Sequence, residues 1–504
     1  MLDTQAAANQ VRLQEALVKA MTASNPDVLR KATFNQPGTA TAGLQGYDLE
    51  GPAKLLYPIL TPLRNSIPRV PANGGSQANW KAVIGVATGN HTIGVSEGNR
   101  GAFINVQTRD YSASYKSLGH EADATFEAVN AGEGYEDIKA RAATSGLHGF
   151  MIKEEGVILS GNSTVDLGVT PTPVVAGPTT GGSIPAATYS VICVALSAEG
   201  RGNATLSGGV IGRYNRTNAD GSVDTIDGGS AQKSVAASVV TTGATSRITA
   251  SVVAVIGAFG YAWFVGAAGA ETLAAITGYS GLDLLALPPG GRQTATSLTA
   301  VDASTNNLVY DGLLTQAIKP GNGGYRLDRN GTPLTPDGAG GIVEFDAILR
   351  RYWDKLRMSP DEILISASEA IALTQAMLGA GVSTGAFRVV INPEQGGMLG
   401  GIIVATYLNK FAVGGSSQVA IRIHPNMPQG TILFWSKSPP YPLSGVNNMV
   451  QIKNRQDYYQ IEWPLRTRRY EYGIYADSVL QHYFPPSLMV LTGVGKYQET
   501  DELA

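Results

Sequence analysis

The sequence lacks most of the chemistry on which enzymes and metalloproteins depend. Its 504 residues include a single cysteine, Cys193, so no internal disulfide can form and folding does not require an oxidising compartment. The patterns of serine hydrolases, HExxH zinc proteases, P-loops and dinucleotide-binding glycine turns are absent. None of the five histidines is spaced as a pair of metal ligands; they are His91, His120, His148, His424 and His482. We therefore expect no enzyme activity, no catalytic residues and no cofactor.

Charge is also scarce. Charged residues make up 15% of the chain, and 37 Lys and Arg against 40 Asp and Glu leave a net charge of -3. A dedicated nucleic-acid binder carries an excess of positive charge, so any contact with nucleic acid must be local. A hydrophobic content of 43% excludes disorder of the whole chain. Acids and glutamines interrupt the first twenty residues, so no secretion signal is predicted and the product is expected to stay in the cytoplasm where it is made.

One uncharged run, from Ile248 to Ala270, is long enough to cross a bilayer. Four glycines divide it into pieces of strand length, and no Lys or Arg cluster flanks it. The favoured interpretation is two buried strands, VVAVI and YAWFVG, joined by GAFG. We therefore expect no membrane partner.

The middle of the chain differs in composition from both flanks. Residues 161–296 are about half as densely charged as the rest and contain short apolar runs bounded by turns. This pattern is typical of a small β-sandwich, and its Gly- and Pro-rich ends indicate an insertion. Cys193, in the run YSVICVAL, is predicted to fill its core.

Four oxygen-bearing side chains follow each other within the predicted sandwich: Asn218, Asp220, Asp224 and Asp227. They are a candidate calcium loop, although the bidentate Glu of an EF-hand loop is missing. The alternative is an exposed polar loop without metal.

The segment before the sandwich predicts an extended arm followed by a ribbon. Five prolines remove backbone donors from the arm and discourage helix; they are Pro52, Pro58, Pro62, Pro68 and Pro71. Two strand-like stretches, Asn79–Ala87 and Ala102–Lys116, then flank a glycine-rich tip that carries Glu97 and Arg100. Because a two-stranded ribbon is marginally stable alone, we expect it to gain stability from another subunit, with Glu97 and Arg100 as interface candidates.

Helical patterns surround the sandwich. A helix is predicted from about Tyr135 to Glu155, with Glu136 and Asp137 in its first turn and Gly156 as its stop. After the sandwich, EFDAILRRYWDKLR places apolar residues on one helical face, and the capping box Ser366–Glu369 opens a further helix. Between these helices, EILIS reads as a short buried strand, and strands dominate from position 400 onward.

The last fifty residues alternate aromatic and charged side chains on both faces of two predicted strands. A lone domain usually keeps one sheet face polar, so we expect other subunits to cover these faces. The interface candidates here are Trp463, Arg466, Arg468, Arg469 and Glu471. Acidic neighbours favour ion pairs between subunits over contacts of the arginines with nucleic acid.

The order of these elements, together with stretches such as FDAILRRYWDKLRMSPDEILIS and RRYEYGIYADSVLQHYFPPSLMVLTGV, resembles the major capsid proteins of tailed bacteriophages. The resemblance implies an α+β, Hong Kong 97-like capsid fold with an all-β immunoglobulin-like sandwich inserted. Its parts would be the N-terminal arm at 1–75, the extended loop and return at 76–129, the spine helix at 130–160, the inserted sandwich at 161–296, the peripheral domain at 297–385, the axial domain at 386–445, and a return to the peripheral domain at 446–504.

The resemblance also implies a function. The chain would assemble into hexamers and pentamers of an icosahedral head that encloses double-stranded DNA, formed in the host bacterial cytoplasm and found in the virion. Implied partners are a separate scaffolding protein, a portal, decoration proteins and DNA held by weak non-specific contacts. The loop has no Lys between Lys81 and Lys116, so the covalent cross-link of some relatives is not expected. The alternatives are an encapsulin-like compartment shell and, more remotely, a surface adhesin.

Overall fold

The computed structural model describes residues 58–86, 94–101, 103, 106–133, 136–218, 220–298, 300–338, 340–379, 404–412, 418–439 and 445–500, with positions 12 and 14 and the strand pair at 391–392 and 397–398. The chain divides into two compact units, one of residues 1–58 and 126–138 and the other of residues 59–125 and 139–504. Most of the described elements belong to the second unit. The first contributes one described helix, at 126–132.

In chain order, the elements up to the end of the long helix are α1 (Pro62–Ser66), β1 (Arg69–Pro71), β2 (Gln77–Val86), β3 (Val106–Ser114), β4 (Lys116–Thr125), α2 (Phe126–Gly132) and α3 (Ile138–Ser160). The middle of the chain forms β5 (Val174–Ala176), β6 (Thr188–Leu196), α4 (Ala198–Asn203), β7 (Arg213–Thr217), β8 (Val223–Asp227), β9 (Ala237–Val240), β10 (Ile248–Ser251), β11 (Gly260–Gly266), β12 (Thr272–Thr277) and β13 (Gly281–Leu284).

The remainder consists of α5 (Leu313–Ile318), β14 (Tyr325–Asp328), α6 (Val343–Arg351), β15 (Glu362–Ile365), α7 (Ala367–Gly379), β16 (Ile391–Asn392), β17 (Gly397–Met398), β18 (Thr406–Leu408), β19 (Gln418–Ile423), β20 (Ile432–Trp435), β21 (Val450–Glu462), β22 (Arg469–His482), β23 (Met489–Thr492) and β24 (Gln498–Glu499). A π-helical turn, Tyr352–Leu356, extends α6. The mixture of helices and strands confirms the predicted α+β class.

The main core surrounds a six-stranded sheet of order β14-β23-β20-β15-β19-β18. Helix α6 packs on it through the predicted apolar face, because Phe345, Ile348, Leu349 and Tyr352 are fully buried. Strand β15, the predicted EILIS strand, is buried along its whole length and lies between β19 and β20.

A second sheet, of order β1-β21-β22-β4, carries the long helix α3 on one face. The contact is close at Gly146, where an added Cβ would lie 2.9 Å from Cδ1 of Ile474 and 3.1 Å from the Cβ of Ala122. Phe150, one turn further on, packs against Ile474 and Ala476. The absence of a side chain at Gly146 therefore sets how near the helix approaches the sheet.

Helix α3 differs from its prediction at both ends. It begins at Ile138, after Glu136 and Asp137, and it continues through Gly156 to Ser160. The predicted stop at Gly156 is wrong because the next turn buries Ile158 and Leu159 completely in the main core. That burial outweighs the roughly 1 kcal/mol by which glycine disfavours a helix interior.

Residues 162–304 are called the β-module below, and they contain two packed sheets and the separate β7–β8 hairpin. The packed sheets have the orders β13-β10-β5 and β24-β12-β11-β6-β9, with β24 supplied from outside this range, and they enclose a common apolar core that contains Cys193. The thiol is completely buried, as predicted, and burial raises its pKa well above the usual range. Asn162, whose Nδ2 donates to the carbonyl of Ser304 at 2.8 Å, joins the two ends of the module.

The uncharged run from Ile248 to Ala270 forms two strands, but the first of them is not VVAVI. Strand β10 ends at Ser251, and the following segment has Val253 and Ile256 exposed. The second strand, β11, is buried as expected. Within the described ranges, no helix combines the length and apolarity needed to cross a membrane.

The capping box at the start of α7 is present in a modified form. The hydroxyl of Ser366 donates to the carboxylate of Glu369, and the other carboxylate oxygen of Glu369 accepts from the backbone N–H of Gly430 at 2.7 Å. Glu369 thus ties the helix start to the turn before β20. The helix ends at Gly379, and Gly381 lies outside the described residues.

We predict opposite outcomes for two glycines of α3. Gly149→Ala should stabilise the fold by about 0.5–1 kcal/mol, because its Cβ would meet nothing within 4 Å and alanine favours helix. Gly146→Ala should be less stable than Gly149→Ala by about 1–2 kcal/mol, because its Cβ would push α3 away from the sheet. Chemical denaturation of both variants measures the difference. Equal stabilities would contradict the close approach at Gly146.

We also predict acid destabilisation through His482. This histidine is fully buried, its Nδ1 accepts from the N–H of Phe484 at 3.1 Å, and burial lowers its pKa to about 3. The unfolded chain, with a histidine pKa of about 6.5, binds the extra proton first, so stability falls as pH drops from 6.5 towards 3. The expected slope is about 1.4 kcal/mol per pH unit from this residue alone.

The contribution of His482 is obtained by comparison with two variants. His482→Asn should flatten the pH dependence of the unfolding free energy, because asparagine keeps an acceptor but does not titrate. His148→Asn, the same substitution on the half-exposed surface of α3, is the matched control. Parallel curves for the wild type and His482→Asn would contradict the assignment.

Candidate functional site

The antiparallel ribbon formed by β2 and β3 stands apart from the other described sheets. Its register runs from Gln77 opposite Ser114 to Val86 opposite Val106, and its sheet contains only these two strands among the described residues. The base of the ribbon is anchored by Trp80, which stacks on Tyr111 at 5.7 Å between ring centroids and packs against the main core.

The distal half of the ribbon exposes apolar side chains. Val86 is 62% exposed and Val106 is 50% exposed, and Phe103, at the tip, is fully exposed. Glu97 and Arg100 also lie exposed at this tip, where the sequence placed them. A two-stranded ribbon with such a surface buries too little to be stable alone, so it is a surface that another molecule can cover.

A second exposed surface is the end of the β21–β22 hairpin, including the connecting residues 463–468. Trp463, Arg466 and Arg468 are exposed there, as is Arg469 at the start of β22. Arg469 has a partner within the chain, since its Nη1 lies 3.1 Å from Oδ2 of Asp123. Glu471 is half-buried, and its backbone carbonyl accepts from the N–H of Trp463 at 3.1 Å.

The basic stretch near this hairpin end is partly neutralised by its own chain. Arg455, like Arg469, has an acidic neighbour, with its Nη2 2.8 Å from Oδ2 of Asp477. The hydrogen bonds from Ser117 and Arg455 hold the pKa of Asp477 below its usual range against the opposing effect of burial. Arg455 and Arg469 therefore already form ion pairs within the chain.

Four segments meet at a buried cluster, called the arm anchor below, made of Arg64, Arg69, Glu154, Glu155, His424 and Tyr458. Glu155 of α3 is completely buried, and its two carboxylate oxygens accept from the backbone N–H groups of Leu63 at 2.8 Å and Arg64 at 2.7 Å. These are first-turn donors of α1, which have no partner inside their own helix. The carboxylate therefore caps α1 from another part of the chain.

His424 is a further hydrogen-bond partner of Glu155. Its Nε2 lies 2.7 Å from Oε1 of Glu155, and both side chains are buried. The other ring nitrogen, Nδ1, accepts from the backbone N–H of Asn426 at 3.2 Å. This second bond makes Nε2 the protonated nitrogen, so the imidazole donates to the carboxylate.

The adjacent Glu154 binds the other side of the arm. Its carboxylate accepts from Arg69 Nη1 at 2.8 Å and from the hydroxyl of Tyr458. The guanidinium groups of Arg64 and Arg69 lie 5.0 and 4.4 Å from the ring centroid of Tyr458. Burial, followed by the charge of Glu154, raises the pKa of Tyr458 above its usual range, so the phenol stays protonated and donates.

The arm anchor was not predicted from the sequence. Its hydrogen bonds join residues separated by 92 positions for Leu63 and Glu155, 269 for His424 and Glu155, and 304 for Tyr458 and Glu154. The one local signal is the adjacent pair Glu154–Glu155 at the end of the predicted helix, because two carboxylates need partners if they are buried.

Each of the four side chains of the candidate calcium loop has a hydrogen-bond or ion-pair partner within the chain. Asp227 pairs with Arg213 at 2.6 Å and Asp224 with Arg216 at 2.9 Å across the β7–β8 hairpin. Asp220 accepts from the backbone N–H and the hydroxyl of Ser222, and Nδ2 of Asn218 donates to the same hydroxyl. No group of three or more His, Cys, Asp or Glu in the part of the chain that the structure describes is arranged to hold a metal ion.

No protein-family model and no curated protein sequence matches this chain. Among solved structures, the capsid of a native GTA particle is similar at 9% identity with a TM-score of 0.41, covering 92% of this chain and 100% of that one. The capsid of Myoviridae phage XM1 is similar at 9% identity with a TM-score of 0.39, covering 89% of this chain and 97% of that one. The SrpI encapsulin complex from Synechococcus elongatus PCC 7942 is similar at 10% identity with a TM-score of 0.35, covering 90% of this chain and 93% of that one. Because each TM-score is below 0.5, function has to be argued from this chain's own contacts.

We predict that Glu155→Ala releases the arm. The substitution strands the N–H groups of Leu63 and Arg64 and the imidazole of His424, which should lower the unfolding free energy by about 3 kcal/mol. Trypsin should then cleave after Arg64 and Arg69 at least ten times faster than in the wild type. Lys153→Ala, an exposed change on the same helix, should alter neither quantity. Equal cleavage in the two variants would contradict the anchoring role.

Proposed function

We propose that this chain is a shell-forming subunit, namely a major capsid protein of the tailed-bacteriophage type. Its copies would assemble into hexamers and pentamers of an icosahedral head around double-stranded DNA. The observation that carries the proposal is the β2–β3 ribbon, which is anchored to the core at its base and exposes apolar residues beyond it. A subunit that must cover its neighbour would use such a ribbon to bury these residues on assembly.

Assembly would combine several modest contacts. The ribbon tip with Glu97 and Arg100, and the hairpin end with Trp463, Arg466 and Arg468, are separate exposed surfaces of one subunit. In a closed shell each would meet a different neighbour, so that weak individual contacts add to a stable whole. Arg469 and Glu471 would contribute mainly by fixing the shape of the hairpin end.

The arm anchor supports this role by holding residues 62–69 in place. The buried carboxylates of Glu154 and Glu155 keep these residues against α3 and β21. The part of the arm at 1–57 lies, apart from positions 12 and 14, outside the described residues. In the proposal it lies along a neighbouring subunit.

The remaining parts of the proposal follow the resemblance of the sequence. The β-module would be an immunoglobulin-like domain on the outside of the virion, and DNA would be held by weak, non-specific contacts, consistent with a net charge of -3. A separate scaffolding protein, a portal and decoration proteins would be its partners during assembly in the host bacterial cytoplasm. No catalytic step or cofactor is part of the proposal.

We predict that charges on the ribbon abolish assembly without unfolding the subunit. Val86→Asp and Val106→Asp change exposed residues, so the monomer should keep its stability, but each would bury a carboxylate in the assembled shell. Val253→Asp, at a valine of the β-module that is 77% exposed, is the matched control.

The measurement is negative-stain electron microscopy and sedimentation of protein produced with its neighbouring genes. The wild type and Val253→Asp should form closed shells or capsomer rings, and the ribbon variants should not. Uniform monomers of the wild type, or shells formed by both ribbon variants, would overturn the proposal. Shells without DNA but with a protein cargo would identify an encapsulin-like compartment instead.

A further inference from the structure

The larger sheet of the β-module is completed by a strand from a distant part of the sequence. Strand β24 pairs antiparallel with β12, with Ile276 opposite Glu499 and Thr277 opposite Gln498. The backbone N–H of Gly278 continues the pairing by donating to the carbonyl of Tyr497 at 3.1 Å. The inserted sequence therefore does not supply all the strands of its own sheet.

One side chain of this strand also reaches the module's smaller sheet. Oε1 of Gln498 accepts from the backbone N–H of Asp283 at 2.9 Å, and its Nε2 donates to the carbonyl of the same residue at 2.9 Å. Asp283 lies in β13, while the backbone of Gln498 pairs with β12. Gln498 thus fastens both sheets of the β-module at one end.

Two arginines of the β-module hold the neighbouring residues. Nη2 of Arg201 lies 3.2 Å from Oε2 of Glu499, and Nη2 of Arg292 donates to the carbonyl of Thr500 at 2.7 Å. The residues of β24 are half-buried, and Tyr497 and Glu499 line a cavity of about 580 Å³ between the module and α3. Polar contacts, not core packing, therefore hold this segment in place.

The same segment is tied to the main core a few residues earlier. Strand β23 belongs to the six-stranded sheet and ends at Thr492. The N–H of Val494 donates to the carbonyl of Gly430 at 3.0 Å, and the N–H of Gly495 donates to that of Thr332 at 3.1 Å. The link between β23 of the main core and β24 of the module is therefore too short to let one strand move far without the other.

We propose that residues 496–500 act as a strap that locks the β-module to the six-stranded sheet. With the strap in place, β12 and β13 are coupled to β23. With the strap released, the edge of β12 is open and the module is held by its remaining contacts with the rest of the chain. The inference concerns a single subunit and does not depend on shell assembly.

The test is hydrogen exchange of the full chain, followed in residues 272–284 of the module and, as an internal reference, in β15. Gln498→Ala removes the two hydrogen bonds to Asp283 and should accelerate exchange at 272–284 about ten-fold, with β15 unchanged. Removal of residues 496–504 should give a larger acceleration at the same positions. Thr500→Ala is the matched control, because the bond of Thr500 to Arg292 uses its backbone carbonyl.

The outcomes separate the possibilities. Acceleration at 272–284 alone, in both Gln498→Ala and the shortened chain, supports the strap. Unchanged exchange at 272–284 in Gln498→Ala overturns it. Equal acceleration of 272–284 and β15 in Gln498→Ala also overturns it, because the module would then not be a separately locked part of the fold.

Discussion

The structure depends on two adjacent buried carboxylates, Glu154 and Glu155, near the end of helix α3. Burial of a charge without partners is costly, so the fold must bring donors to both groups. The donors come from α1, from Arg69, from the turn after β19 and from β21. Residues 62–69, the end of α3, the turn after β19 and β21 are therefore brought together, because these two carboxylates need hydrogen-bond donors.

In contrast to the buried carboxylates, the β2–β3 ribbon and the end of the β21–β22 hairpin are exposed to solvent. Beyond Trp80 and Tyr111 the ribbon has no sheet partner among the described residues, and its apolar side chains face solvent. Part of the charge near the hairpin end is paired within the chain, because Arg455 forms an ion pair with Asp477 and Arg469 forms one with Asp123. A subunit that is rigid where charges are buried and open where apolar residues project is suited to association by several small contacts.

The β-module is not structurally independent of the rest of the chain. Its core is its own, but one edge of its larger sheet comes from β24, and Gln498 joins its two sheets. Since β23 and β24 are separated by a few residues, the module and the six-stranded sheet share one continuous piece of backbone.

The sequence by itself determined the elements whose information is local. Periodicity and composition predicted the alternation along the ribbon, the apolar face of α6, the EILIS strand and the strand-rich middle segment with Cys193 in its core. The tertiary structure alone decided the continuation of α3 past Gly156, the exposure of Val253 and Ile256, the arm anchor and the strap. Each of these depends on burial or hydrogen bonds between residues far apart in sequence, and such contacts leave no local pattern.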